Sequence, residues 1–297
     1  MKTIQLYERK VNSETIPEKI SVCLGYFDGI HLGHKKLVEF ANEHHQFPLA
    51  LLTFDQPASS LLDNYKAKEV LTSLNDRFRL LSRLYVDYYL VQHIDREFLD
   101  MSASQFIDYL KELKVKEVFV GEDYRFGKNA AGTIDMLKKS FDVHVVDTYT
   151  YNGEKVSTQK IISLLKEGNV PLANKLLGHN YLMNGIVTEG HHNGEKFGIR
   201  TANVKLSTNY VIPKLGVYKV IAYIEGMPHL AIANVGVHPT IDKEDFPILE
   251  VHIPDYDSVD YEKNINVEFL EFMRDEKVFS NTEELIAQIK KDIARLG

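Results

Sequence analysis

The chain has 297 residues, 44% hydrophobic and 26% charged, the balance of an ordinary globular protein with enough length for two cores. A formal charge of −7 argues against a general nucleic-acid or membrane-surface binder, because no basic excess exists to attract phosphate backbones. The single cysteine, Cys23, excludes an intramolecular disulfide, and its place in an apolar run predicts a small core residue. The first five residues lack the apolar stretch of a signal peptide and no run reaches membrane-spanning length, so a cytoplasmic chain with small-molecule ligands is expected.

Up to about residue 150, strand-like and helix-like segments alternate. Ile20–Leu24 reads as a buried strand, and Leu37, Phe40 and Ala41 recur at helical spacing within 35–45. Further strands are predicted over 49–54, 88–94, 117–121 and 143–147, with helices over 73–85, 102–113 (Ser102 as N-cap) and 133–140. This alternation predicts an α/β, Rossmann-like unit: a parallel sheet with helices on both faces and ligands beyond the carboxyl ends of the strands. Residues 25–34, 55–60 and 121–127 then share one edge. Residues 157–177 read as two helical pieces broken by Gly168-Asn169 and Pro171. After Asn184, runs at 185–189, 216–224, 230–237, 249–253 and 265–272 predict a small antiparallel barrel. A last amphipathic helix, 282–296, carries Leu285, Ile289, Ile293 and Leu296 on one face, with Ser280 and Glu283 spaced as a capping box. The expected domains are 1–180 and 181–297.

The sharpest stretch is Gly25-Tyr26-Phe27-Asp28-Gly29-Ile30-His31-Leu32-Gly33-His34, between the first buried strand and its helix. Glycines let the backbone pass close to a ligand, and an opening helix offers free N–H groups and a positive dipole end to phosphate. His31 and His34, three apart, face the same way on a first helical turn. Imidazoles there can steady negative charge that grows during phosphoryl or nucleotidyl transfer. The pattern resembles the H-x-G-H signature of adenylyltransferases and, in its long form, the N-terminal module of bacterial FAD synthetases. That resemblance implies that His31 and His34 contact phosphates, that Gly25, Phe27, Asp28, Gly29 and Gly33 shape the turn, and that ATP and FMN are joined with Mg2+ to give FAD. Gly121-Glu122-Asp123-Tyr124-Arg125-Phe126-Gly127 is similar to the family's second segment, which implies Gly121 and Gly127 framing the site, Asp123 at the adenosine part and Arg125 near phosphate. Thr53-Phe54-Asp55-Gln56-Pro57 resembles a third, weaker segment. Val156 to Ile162 corresponds to the triphosphate-holding helix start: Ser157 and Thr158 keep the hydroxyls, Ile162 stands where the family has arginine, and Lys160 is the nearest cation.

The C-terminal part resembles the riboflavin kinase barrel at Gly216-Val217-Tyr218, Ala233-Asn234-Val235-Gly236 with Pro239-Thr240, Leu249-Glu250-Val251-His252 and the final helix. The resemblance implies Thr201 and Asn203 on Mg2+ and ATP, and Glu250 as the base for a riboflavin hydroxyl, since a neutral alcohol needs one. Three departures fall at this site: Arg200 where the family has proline, Gly194-Glu195-Lys196 with a reversed charge, and Asp260-Tyr261-Glu262 where glycine usually follows the tyrosine. They lead to the expectation of an FMN adenylyltransferase with a weakened or lost kinase. The alternatives are a fully bifunctional enzyme and a non-catalytic flavin- or nucleotide-binding regulator. His44-His45 and His191-His192 lack a second ligand cluster and are expected to face solvent, as is the run Arg274 to Lys277.

Overall fold

The computed structural model describes residues 2–6, 16–58, 60, 68–188, 201–238, 246–254, 256 and 261–296. The chain forms two compact units, residues 1–68 with 74–157, and 69–73 with 158–297.

In the first unit the strands are β1 (Lys2–Leu6), β2 (Ile20–Leu24), β3 (Leu49–Phe54), β4 (Tyr88–Gln92), β5 (Val115–Gly121) and β6 (Asp142–Val146), in the spatial order β1-β4-β3-β2-β5-β6 and all parallel. Strand alternation builds a core on each face. Val22, Leu24, Ala50, Leu52, Val118 and Val120 join one cluster, while Cys23, Leu49, Leu51 and Phe119 join the other. Helices α1 (Leu32–His44), α2 (Leu74–Leu81), α3 (Arg96–Leu99), α4 (Ala103–Glu112) and α5 (Ile134–Lys138) alternate with these strands. Ser102 is the N-cap of α4 as expected, and Gln105 extends it into a capping box. A short hairpin, β7 (Thr150–Tyr151) and β8 (Glu154–Lys155), closes the unit. The edge strand β1 was not foreseen. Its residues are mostly exposed, so it lacks the apolar run that marks β2.

In this order the chain leaves β2 toward β3 on one side, whereas β5 lies on β2's other side. The carboxyl ends of β2 and β5 are therefore the topological switch point, where open α/β sheets bind ligands.

The second unit begins with α6 (Thr158–Lys166) and α7 (Val170–Leu177), followed by β9 (Tyr181–Thr188), β10 (Ala202–Leu206), β11 (Gly216–Ile224), β12 (Met227–His238), β13 (Phe246–His252), β14 (Asn264–Arg274) and α8 (Thr282–Ile293). The strands close an antiparallel barrel in the order β10-β13-β12-β11-β14-β9. Burial along β11 alternates, with Tyr218, Val220 and Ala222 inside. β10 is a strand that the sequence pattern does not predict, because the run 202–206 has no long apolar stretch.

The division at Ser157/Thr158 differs from the expected boundary at 180. α7 is fastened to the barrel: the Asn174 amide donates to the Phe269 carbonyl at 2.8 Å and its Oδ1 accepts from Tyr181 N at 2.8 Å. Residues 69–73 belong to the same unit, with Val211 N donating to the Val70 carbonyl at 2.9 Å. The cap of α8 is also shifted by one residue. Asn281, not Ser280, is the N-cap and accepts from Glu284 N at 2.9 Å, while Glu284 Oε2 accepts from Ser280 N.

Candidate functional site

The bend after β2 departs sharply from ordinary backbone. Phe27 lies at φ 58°, ψ 32°, Gly29 at φ 77° and Ile30 at φ 41°. Left-handed geometry costs a non-glycine residue about 1–2 kcal/mol, whereas burying a Phe or Ile side chain returns about 1.5–3 kcal/mol. Phe27 and Ile30 are both buried in the core that backs α1, so packing offsets the dihedral cost. Only Gly29 needs the absence of a Cβ for its own conformation.

His31 is the N-cap of α1, and its Nδ1 accepts from His34 N at 3.3 Å. In the neutral ring the proton therefore sits on Nε2, which remains available as a donor. The two imidazoles stack, with centroids 3.7 Å apart and planes 15° from parallel, and Phe27 meets His34 edge-on at 5.1 Å. A Cβ on Gly33 would lie 3.0 Å from the His31 ring, so glycine keeps that ring in place. Burial lowers the His31 pKa to about 4. Burial, then His31, then Arg77 hold His34 well below the ordinary histidine value. Both rings are thus neutral at pH 7. His34 Nδ1 is enclosed without a hydrogen-bond partner among the described residues.

At the same sheet edge, Asp123 forms an ion pair with Lys155, and this hydrogen bond lowers the carboxyl pKa. Arg125 is exposed, while Phe126 is buried beneath it beside Phe106. Gly127 has φ 70°, and a Cβ there would strike the backbone of Ala103 at 2.9 Å. Asp55, after β3, pairs with His93 at 2.5 Å. Ser157 ends the first unit, whereas Thr158 and Lys160 open α6 in the second.

In the barrel, register does what a loop does in the first unit. Asn203 of β10 is opposite Glu250 of β13, which is opposite Asn234 of β12. Paired residues share a face, so the polar groups form one row. A cavity of about 220 Å³ is lined by Thr201, Asn234 and Glu250 on this side and by Leu285, Ile289 and Asp292 of α8 on the other; Asn203 lies in the row but not in the lining. Leu285 and Ile289 face the cavity, while Ile293 and Leu296, the latter beyond the end of α8, pack in a cluster with Val217 and Ile232, which also line it. In the run Arg274 to Lys277, Asp275, Glu276 and Lys277 are exposed as expected of a solvated turn, and Arg274 alone departs from it. Arg274 is 14% exposed and binds Asp292 through Nε at 2.9 Å and Nη2 at 2.7 Å, while Glu276 and Lys277 line the cavity.

A family model for FAD synthetase matches residues 13–160, and one for riboflavin kinase matches residues 177–296. A bifunctional riboflavin kinase/FMN adenylyltransferase from Listeria monocytogenes is 35% identical, covering 98% of this chain and 96% of its own; the one from Bacillus subtilis is 33% identical with the same coverage. The chain belongs to the bifunctional riboflavin kinase/FMN adenylyltransferase family. A crystal structure described as a macrolide-efflux protein from Streptococcus pneumoniae is also similar, with TM-score 0.90, 29% identity and coverage of 100% of this chain and 99% of that one. That likeness extends the shared fold over the whole chain; among the described residues no helix is long and apolar enough to cross a membrane.

Of the segments that carried the family resemblance, residues 189–200, 239–245 and 257–260, which hold Glu195, Arg200, His191-His192, Pro239-Thr240 and Asp260, lie outside the described residues. Tyr261 and Glu262 are described, and Glu262 has φ 63°, the conformation that explains why a glycine suits this position. His44 Nδ1 and His45 Nδ1 meet the carbonyls of Phe40 and Phe47 at 2.8 Å. One residue at the bend after β2 carries no signal in the sequence. Arg77, on α2, is 1% exposed and donates to Tyr26 and Phe54 carbonyls. An arginine in an amphipathic helix ordinarily faces water, so nothing local marked it.

Proposed function

We propose that the first unit transfers AMP from ATP to FMN, and that the barrel phosphorylates riboflavin. The observation that carries the first half is the stacked, neutral histidine pair at the switch point, on a bend that also opens α1. An FMN phosphate oxygen attacks the α-phosphorus of ATP, and the bond to the bridging oxygen of the β-phosphate breaks to release pyrophosphate. The attacking oxygen is already ionised, so alignment and charge neutralisation suffice and no strong base is needed. His31, through its Nε2–H, and His34 would donate to phosphate oxygens, with the bend's Gly25, Phe27, Asp28, Gly29 and Gly33 holding them. Gly121, Asp123, Arg125 and Gly127 would bind nucleotide or flavin, and Ser157, Thr158 and Lys160 the triphosphate. Entry of a polyphosphate would raise the histidine pKa values, adding positive charge when the substrate brings negative charge.

Support for the kinase half is the row Asn203, Glu250, Asn234 beside Thr201. The hydroxyl of Thr201 and the amide oxygen of Asn203 suit a hard cation such as Mg2+, which would neutralise phosphate charge on ATP. Glu250 would take the proton of the riboflavin hydroxyl. A second reading, a weakened kinase, is favoured by one described residue, Glu262, whose left-handed turn lacks glycine. Supplying MgATP with either FMN or riboflavin, and separating flavins by chromatography, tests both halves. FAD from FMN and FMN from riboflavin are expected. FAD alone would favour the weakened kinase, and neither product would overturn the proposal.

A further inference from the structure

We infer that Arg77 is a positioning residue for adenylyl transfer, tying the entrance of the histidine bend to the end of β3 and so fixing where His31 and His34 stand; the inference rests on the adenylyltransferase reading and deepens it. One guanidinium nitrogen, Nη1, donates to the Tyr26 carbonyl at 2.9 Å, Thr53 Oγ1 at 2.9 Å and the Phe54 carbonyl at 3.0 Å. Thr53 Oγ1 in turn donates to the Tyr26 carbonyl at 2.7 Å. The guanidinium carbon also stands 4.5 Å from the centre of the Tyr26 ring. Tyr26 is thus held by two donors at its carbonyl and a cation on its ring, immediately before Phe27 enters the left-handed region.

A bend with positive φ at Phe27, Gly29 and Ile30 relaxes unless both its ends are fixed. His31 and the first turn of α1 fix the exit. Arg77 and Thr53 fix the entrance. Stability alone does not account for the arginine: a guanidinium out of water is costly unless its donors are used, and its Nε has no hydrogen-bond partner among the described residues. Lysine carries the same charge as a point and lacks the planar set of donors. At 1% exposure Arg77 cannot itself touch a substrate. Its charge nevertheless reaches the site, since Arg77 and His31 both disfavour protonation of His34, and Lys155 does the same to His31.

The test uses the full chain as Arg77→Lys and Arg77→Met, with Thr53→Val as the variant that removes one donor and keeps the arginine. Wild-type FAD formation is measured first, so failure of the adenylyltransferase reading is seen separately. The expectation for Arg77→Met is a fall of about 10- to 100-fold in kcat for FAD formation, the scale of a small misplacement. Riboflavin phosphorylation by the same molecules should stay near wild type. Arg77→Lys should lose rate without moving the histidine titration, whereas Arg77→Met should move the His34 ring titration, followed by NMR, to higher pH. Thr53→Val should show a smaller loss of the same kind. Wild-type rates and an unmoved His34 titration in Arg77→Met would overturn the inference. So would equal loss of both activities in all three variants, which would make Arg77 a general stabilising residue.

Discussion

Under the proposed function, the two units place polar groups for phosphate chemistry by opposite means. The first gathers them in one continuous ten-residue bend, whose strained dihedrals are offset by the burial of Phe27 and Ile30 in one core. The barrel gathers them from three strands, at positions 203, 234 and 250, by hydrogen-bond register alone. A bend can be spoiled by one misplaced atom, because its shape depends on compensating a local cost. A register row is stiffer, and its weak point is the chemistry of each side chain. The variants below separate these two kinds of dependence.

The largest effect is expected in the row. Glu250→Gln keeps size and polarity but removes the base, so riboflavin phosphorylation should fall by about 10²–10⁴-fold. FAD formation from supplied FMN should remain near wild type. Loss of both would break the comparison, by showing that the units do not act separately.

Next is the bend. His31→Ala removes the N-cap, one of the stacked rings and a phosphate donor together, and FAD formation should fall by about 10²–10³-fold. Kinase rates should hold. A fall below tenfold would mean that the backbone amides of the bend, rather than its imidazoles, carry the charge.

A third consequence concerns pH. The His31 pKa falls from an ordinary 6.5 to about 4 on folding, so between those values the unfolded chain binds the extra proton and the folded one does not. The stability that His31 contributes is complete above pH 6.5 and is lost as pH falls toward 4, by up to about 3 kcal/mol. Thermal unfolding of the first unit should therefore drop over this window. His31→Asn, which keeps a side-chain cap and cannot titrate there, should make the drop smaller, with His34, whose pKa is also lowered by burial on folding, keeping part of it. A drop of equal size in the variant would assign the effect to other groups.

How much of this could be read from the chain follows the same contrast. His31, Gly33 and His34 were legible because the bend is contiguous, and the alternation around it fixed a parallel sheet. The stacking of the rings and the neutrality of both were not, since they depend on burial. Arg77 was invisible because it acts on Tyr26 from 51 residues away. In the barrel, Glu250 and Asn203 were found by resemblance, but their pairing with Asn234 needs the register. Arg274 differs from its solvated neighbours because Asp292 of α8 binds it, a contact between distant residues that the sequence does not show.

The smallest effect bears on whether the barrel's departures matter. Glu262 stands at φ 63° with its N–H donating to the Val187 carbonyl at 2.9 Å, and its side chain is exposed. Left-handed geometry costs an L-residue about 1–2 kcal/mol, while glycine loses about 0.5–1 kcal/mol more chain entropy on folding. Glu262→Gly should therefore stabilise the barrel by roughly 0.5–1 kcal/mol, since little is lost with an exposed carboxylate. A modest rise in barrel melting temperature is the readout, with kinase rate measured beside it. A rise in both would mean that the strained turn limits phosphorylation, as the weakened-kinase reading requires. Stabilisation with an unchanged rate would leave that turn a local cost, compensated by the strand pairing on either side of it.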